Sequence, residues 1–217
     1  MNTSEPFIIT ISRQFGSGGR FIGQELTKRL GVDYIDNEIL NKAAEEFSID
    51  RDNLKAIDEK LPSWWENLIK VRFRGSDTYY VTSKHTEPTS EQLFEAETRI
   101  MKKLTDNHSA IVVGRCGFYV FRDHPNCLKI FLHSKLEDRI KRIQELHNIP
   151  ERKALMLINE NDNARANYMR KFTGHEWWDA RQFDLSLDTS SFTNKDKCVD
   201  FIINYINIRS NKTFKQF

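Results

Sequence analysis

No run of apolar residues in this chain approaches the roughly 18 needed to cross a bilayer as a helix. Cysteine is scarce. The three present (Cys116, Cys127 and Cys198) have no paired spacing, which excludes a disulfide framework and a cysteine-based zinc site. The six histidines are scattered, with no pair at helical ligand spacing, so no metal-ligand set is assigned. A surplus of one charge is missing as well. With 33 Lys and Arg against 31 Asp and Glu, the net +2 gives no reason to expect nucleic acid or a membrane surface as a partner. The first residues carry no signal-peptide pattern, and no internal repeat or low-complexity segment occurs. A soluble, cytoplasmic protein is the expectation.

What is present is a core-forming composition, 39% hydrophobic and 12% aromatic over 217 residues, enough for one α/β domain with an insertion. The stretch 8–23 organises it. Ile8 to Ile11 are apolar or β-branched without a break, the pattern of a strand covered on both faces. Gly16, Gly18 and Gly19 follow; they let the backbone turn with positive φ and bring successive N–H groups together. Ile22, Leu26 and Leu30 then recur every four residues as one stripe of a helix that Gly31 can close. A strand, a glycine turn and a helix start make an anion site, and phosphate is the usual anion.

Against the phosphate-loop pattern G-x-x-x-x-G-K-[ST], Gly18 takes the last glycine. Arg13 stands at the first glycine, Gly19 at the lysine and Arg20 at the Ser or Thr. The dinucleotide pattern G-x-G-x-x-G fits less well, because Phe21 replaces its last glycine, and a nicotinamide-dependent dehydrogenase is disfavoured on that ground.

Further strands are expected at 32–36, 110–113, 128–132 and 184–188, with helices at 38–47, 90–104, 135–147, 150–172 and 194–208. Short helices after Asp50 and from Pro62, the second carrying Trp64 and Trp65, lead into a polar loop at 75–90; the last nine residues read as a frayed end. Strands alternating with helices need crossovers, hence a mostly parallel sheet whose ligand sits beyond the carboxyl ends of its strands. Ser12-Arg13, Asp36-Asn37, Gly114-Arg115, His133-Ser134 and Asp188-Thr189 occupy those ends, and their charges suit a charged ligand.

The runs 9–20, 112–117, 122–132 and 183–190 together resemble the cytidylate-kinase-like family, a branch of the nucleoside monophosphate kinases. The resemblance implies a three-layer α/β fold of the P-loop kinase type: a parallel five-stranded sheet with flanking helices, a helical insertion and a lid. The core would comprise 1–36, 96–149 and 181–208, the acceptor-binding insertion about 37–95 and the lid about 150–180. Family positions that hold the acceptor fall on Asp36, Lys42, Arg115 and Asp184. An aspartate of the family's block after the third strand is replaced by Cys116. The lid arginines correspond to the region of Arg165 and Arg170.

The activity implied is transfer of the γ-phosphoryl group of ATP, with Mg²⁺, to a nucleoside monophosphate, cytidylate first. Such transfer needs alignment and charge stabilisation more than covalent chemistry. Gly16, Ser17, Gly18 and Gly19 would cradle the phosphates. Arg13 or Arg20 would substitute for the lysine, since guanidinium binds phosphate oxygens in pairs. Ser17 is the hydroxyl nearest the missing Mg²⁺ ligand.

Each assignment has a plainer counterpart. Arg13 can pair with Asp36, Arg115 can make a core ion pair, Asp184 can cap its strand, and Arg165 and Arg170 can be solvated. Arg20 opposes the dipole of the helix it starts, which a bound anion would explain. A nucleotide-binding module without catalysis is the alternative reading, and the Trp64-Trp65 pair leaves a homodimer open.

Overall fold

The computed structural model describes residues 1–37, 40 and 91–211. The expected helix at 38–47 (Leu40 aside), Lys42, the short helices after Asp50 and from Pro62 with Trp64 and Trp65, and the loop at 75–90 lie outside the described residues. Among the described residues the chain runs β1 (Ile8–Arg13), α1 (Gly19–Leu30), β2 (Asp33–Asp36), α2 (Glu91–Leu104), β3 (Ala110–Val113), α3 (Gly117–Val120) and β4 (Cys127–His133). It continues through α4 (Leu136–His147), α5 (Glu151–Thr173), β5 (Leu185–Asp188) and α6 (Lys195–Asn211), with short 3₁₀ turns at Ala180–Gln182 and Thr189–Ser191.

The sheet is parallel throughout, in the order β2-β3-β1-β4-β5. β1 lies at its centre, flanked by β3 and β4, which is why its apolar run is unbroken: Ile8, Ile9 and Ile11 are at most 1% exposed. Burying each such side chain stabilises the fold by about 1.5–3 kcal/mol. The order places β3 on one side of β1 and β4 on the other, so the chain leaves β1 at a switch point where a crevice opens beyond the carboxyl ends.

α1 carries the strand's exit back across the sheet. Ile22 and Leu26 are fully buried, and Gly31, in the left-handed region at φ 66°, returns its N–H to the Thr27 carbonyl at 2.9 Å. Lys28 and Arg29 sit in the last turn, where cations suit the helix dipole. Arg29 also ties α1 to α6 through Asp196 (3.0 Å) and Asp200 (2.6 Å). α5 begins after Pro150 and ends at Gly174, whose N–H reaches the Arg170 carbonyl at 3.0 Å.

Two details differ from the sequence reading. α6 runs on to Asn211, so 209–211 are helical rather than frayed, anchored where Arg209 meets Asp184 at 3.0 Å. β3 leads straight into the short helix α3, which a four-residue apolar segment with two glycines nearby does not signal.

Gly23 sets how closely α1 approaches the sheet: a Cβ there would stand 2.8 Å from Val113 Cγ2 and 3.2 Å from Tyr34 Cε2. The Gly23→Ala variant should therefore lose stability by about 1–3 kcal/mol, the usual range for an overpacked core. Chemical denaturation would read this as a lower midpoint, against the slight gain that alanine gives in an uncrowded helix.

Candidate functional site

The loop between β1 and α1 folds into a cradle whose shape follows from its glycines. Gly16 and Gly18 both take φ of 83°, in the left-handed region. Gly19 does not, contrary to the sequence reading; it is required for space instead, since a Cβ would lie 2.8 Å from both Cβ and Cγ of Arg13. Ser17 is fully buried, and its hydroxyl donates to the Gln14 carbonyl at 2.9 Å, closing the turn. Among the described residues no acceptor meets the N–H groups of Gly16, Gly18 or Gly19. These amides stand at the amino end of α1, which has no acidic residue in its first turn.

α5 latches onto this loop. Asp162 accepts the Phe15 N–H at 2.8 Å through Oδ1 and the Arg139 guanidinium through Oδ2. Arg139, itself only 7% exposed, also donates to the Phe15 carbonyl at 3.3 Å. Arg165 donates to the Arg13 carbonyl at 3.1 Å and lies over the Phe15 ring. Asp162 and Arg139 went unread in the sequence because their pairing spans 23 residues and two helices, and their contact with Phe15 spans far more.

The arginines divide by position. Arg13 packs against Gly19 and against Gly114, where a Cβ would collide with its guanidinium. Arg20 pairs with Asp36, at 3.7 Å. Arg115 meets Glu97 at 3.1 Å and lies 5.3 Å from the Tyr168 ring, while the Tyr168 hydroxyl donates to Glu97 at 3.0 Å. Glu97 is 1% exposed, and burial raises its pKa above the ordinary carboxylate value despite Arg115 and Tyr168, which pull it down.

Ser12, Arg13, Asn37, Gly114, Arg115 and, from α5, Asn161, Arg165 and Tyr168 line a cleft of about 320 Å³ beyond the carboxyl ends of β1, β2 and β3. Trp177, 3% exposed, closes one side and stands edge-on to Phe131 at 5.7 Å. Cys116 faces the same cleft, and burial pushes its thiol up to about 12, so it is no nucleophile.

Two expected site residues are not brought here. Arg170 is exposed at the end of α5 in a two-point pair with Glu176, at 2.9 and 3.0 Å. Asp184 sits at the amino-terminal end of β5, the end of the strands away from the cleft, where its carboxylate accepts the Lys129 N–H at 2.8 Å and pairs with Arg209. Among the described residues no group of three His, Cys, Asp or Glu is arranged to hold a metal ion, and no helix is long and apolar enough to cross a membrane.

A parallel sheet in this order, a glycine cradle after its central strand and a cleft beside it define an α/β protein of the P-loop kinase-like fold. Shikimate kinase from Bacteroides thetaiotaomicron has that fold, with a TM-score of 0.51 at 11% identity over 93% of this chain and 98% of its own. An uncharacterized protein from Eubacterium ventriosum is more similar in shape, with a TM-score of 0.66 at 22% identity over 93% and 98%. The cytidylate kinase of Sulfurisphaera tokodaii is 21% identical over 201 residues, 92% of this chain and 95% of that protein. The sequence profile of the cytidylate kinase-like family matches residues 8–191, and the chain belongs to that family.

Removing Arg115 would leave Glu97 as a buried carboxylate without its cation. At neutral pH the Arg115→Met variant should lose about 3–5 kcal/mol, the usual cost of breaking a buried pair from one side. In that variant the folded-state pKa of Glu97 rises further above its unfolded value, so the folded state binds the extra proton. Its stability is greatest at acid pH and falls as pH climbs from the ordinary carboxylate range through the raised value. Urea titrations from pH 4 to 8 would show the deficit shrinking toward the acid end; a pH-independent deficit contradicts it.

Proposed function

We propose that this protein transfers the γ-phosphoryl group of ATP to a nucleoside monophosphate, with the cytidine and deoxycytidine monophosphates the first acceptors to test. The observation that carries the reading is the cradle: amides of Gly16, Gly18 and Gly19, unmet by any described acceptor, at a helix start beside the cleft. Family membership supports the nucleotide as ligand. The acceptor reading draws on the cleft, where Tyr168, Met169 and Trp177 offer apolar surface to a base and Arg13, Arg115 and Arg165 offer cations to a phosphate.

In this reading an acceptor phosphate oxygen bonds to the γ-phosphorus as the bond to the β–γ bridging oxygen breaks, and ADP leaves. The cradle amides hold the donor phosphates, and Arg165 and Arg13 face the charge that spreads over the transferred group. Segment 37–95 would bind the acceptor and 150–180 would act as the lid, with α5 as its docked part. The residues present fit phosphates better than a protein-held ion. Position 20, where the Mg²⁺ hydroxyl ligand would stand, is an arginine, and the Ser17 hydroxyl points at Gln14. Mg²⁺ is accordingly read as entering with the triphosphate. Arg170 and Asp184 have no part in this reading.

Gly19 and Arg20 at the lysine and hydroxyl positions favour one other reading, a module that binds nucleotide without transferring phosphate. ADP release from Mg-ATP across a panel of nucleoside monophosphates separates the two. Transfer is expected, and Arg165→Ala should cut kcat/KM by at least about ten-fold, as loss of a charge-stabilising donor does. A thermal shift with ATP but no ADP over the whole panel would give the module reading instead.

A further inference from the structure

The lysine absent from position 19 has a counterpart from the other end of the chain. Lys195 opens α6, and its stem lies along the cradle: a Cβ on Gly18 would stand 3.0 Å from Lys195 Cε and 3.3 Å from its Cδ. Its Nζ donates to the Thr189 carbonyl at 3.2 Å, and Thr189 Oγ1 donates to the Ser17 carbonyl at 2.9 Å. An ammonium carries three donors, and among the described residues this one has a single hydrogen-bond acceptor.

The place is unfavourable for a cation on three counts. The first turn of a helix repels positive charge. The side chain is half-buried, and Arg142 on α4 is near enough to add repulsion; both hold its pKa below the ordinary lysine value. Asp138 on α4 and Asp188 at the end of β5 offset this in part, and the Cys198 thiol is the remaining titratable neighbour. A polyanion in the cradle would meet the unused donors and relieve the repulsion together.

We propose that Lys195 binds the polyphosphate of the nucleotide, serving from α6 as the cation that position 19 lacks. This rests on the phosphotransferase reading above. The test is calorimetric titration of tripolyphosphate, and separately of ATP, into the wild type, Lys195→Gln and Lys195→Arg. Glutamine keeps an N–H donor for Thr189 but removes the charge; Lys195→Met, which keeps the stem over Gly18, replaces it if the glutamine variant does not fold.

Binding by the wild type, weakened at least about ten-fold in Lys195→Gln and largely restored in Lys195→Arg, is the expected result. Equal affinity in wild type and Lys195→Gln overturns the inference and leaves the phosphotransferase reading standing. A loss that arginine does not restore, with a lower ligand-free melting temperature, marks Lys195 as a structural strap and also overturns it. No binding of either ligand by the wild type removes both.

Discussion

The side chain of Arg13 passes through space that two glycines leave open. Gly19 starts α1 on one side of it and Gly114 ends β3 on the other, and neither position tolerates a Cβ without striking the arginine. That steric arrangement joins the exit of the central strand to the start of the first helix and to the turn after the neighbouring strand. The cradle and the floor of the cleft therefore share one wall. Arg165 reinforces it from α5 by donating to the Arg13 carbonyl. The arginine at this spot is part of the packing that gives the loop its shape.

α5 supplies the other wall through simple helical spacing. Asn161, Ala164, Arg165 and Tyr168 recur at intervals of three and four and face the cleft, while Asp162, one step round, faces the loop. One helix thus holds the cradle with a carboxylate and presents a guanidinium, a side-chain amide and aromatic surface to the cleft. The aromatic cluster of Phe118, Phe131, Trp177 and Phe183 keeps that side of the cleft apolar.

Much of this was legible in the sequence, for identifiable reasons. The central strand announced itself because a strand covered on both faces must be apolar throughout, and α1 because its stripe and its closing Gly31 are local signals. Contacts between distant segments left no such trace. Glu97 and Tyr168 lie 71 residues apart, and nothing in either neighbourhood points to the other or to Arg115. Arg20 meets Asp36 because α1 turns its first side chains toward the end of β2, a pairing that neither local pattern signals. Asp184 was read at the start of its strand and stands there, but the acceptor contact implied by the resemblance is not met: the parallel register of β5 on β4 sets this residue at the end of the strand remote from the cleft.

After β3 the chain takes three successive residues with positive φ, Gly114 at 88°, Arg115 at 49° and Cys116 at 53°. Two of these carry side chains, and such a conformation costs roughly 1–2 kcal/mol per residue. The bend is secured at once by the Gly117 N–H returning to the Gly114 carbonyl at 2.9 Å. The turn sets Gly114, Arg115 and Cys116 side by side on the wall of the cleft. The wall of the hollow beside the cradle is thus shaped in part by a backbone conformation, so a replacement there that resists positive φ acts on the cleft as well as on the connection.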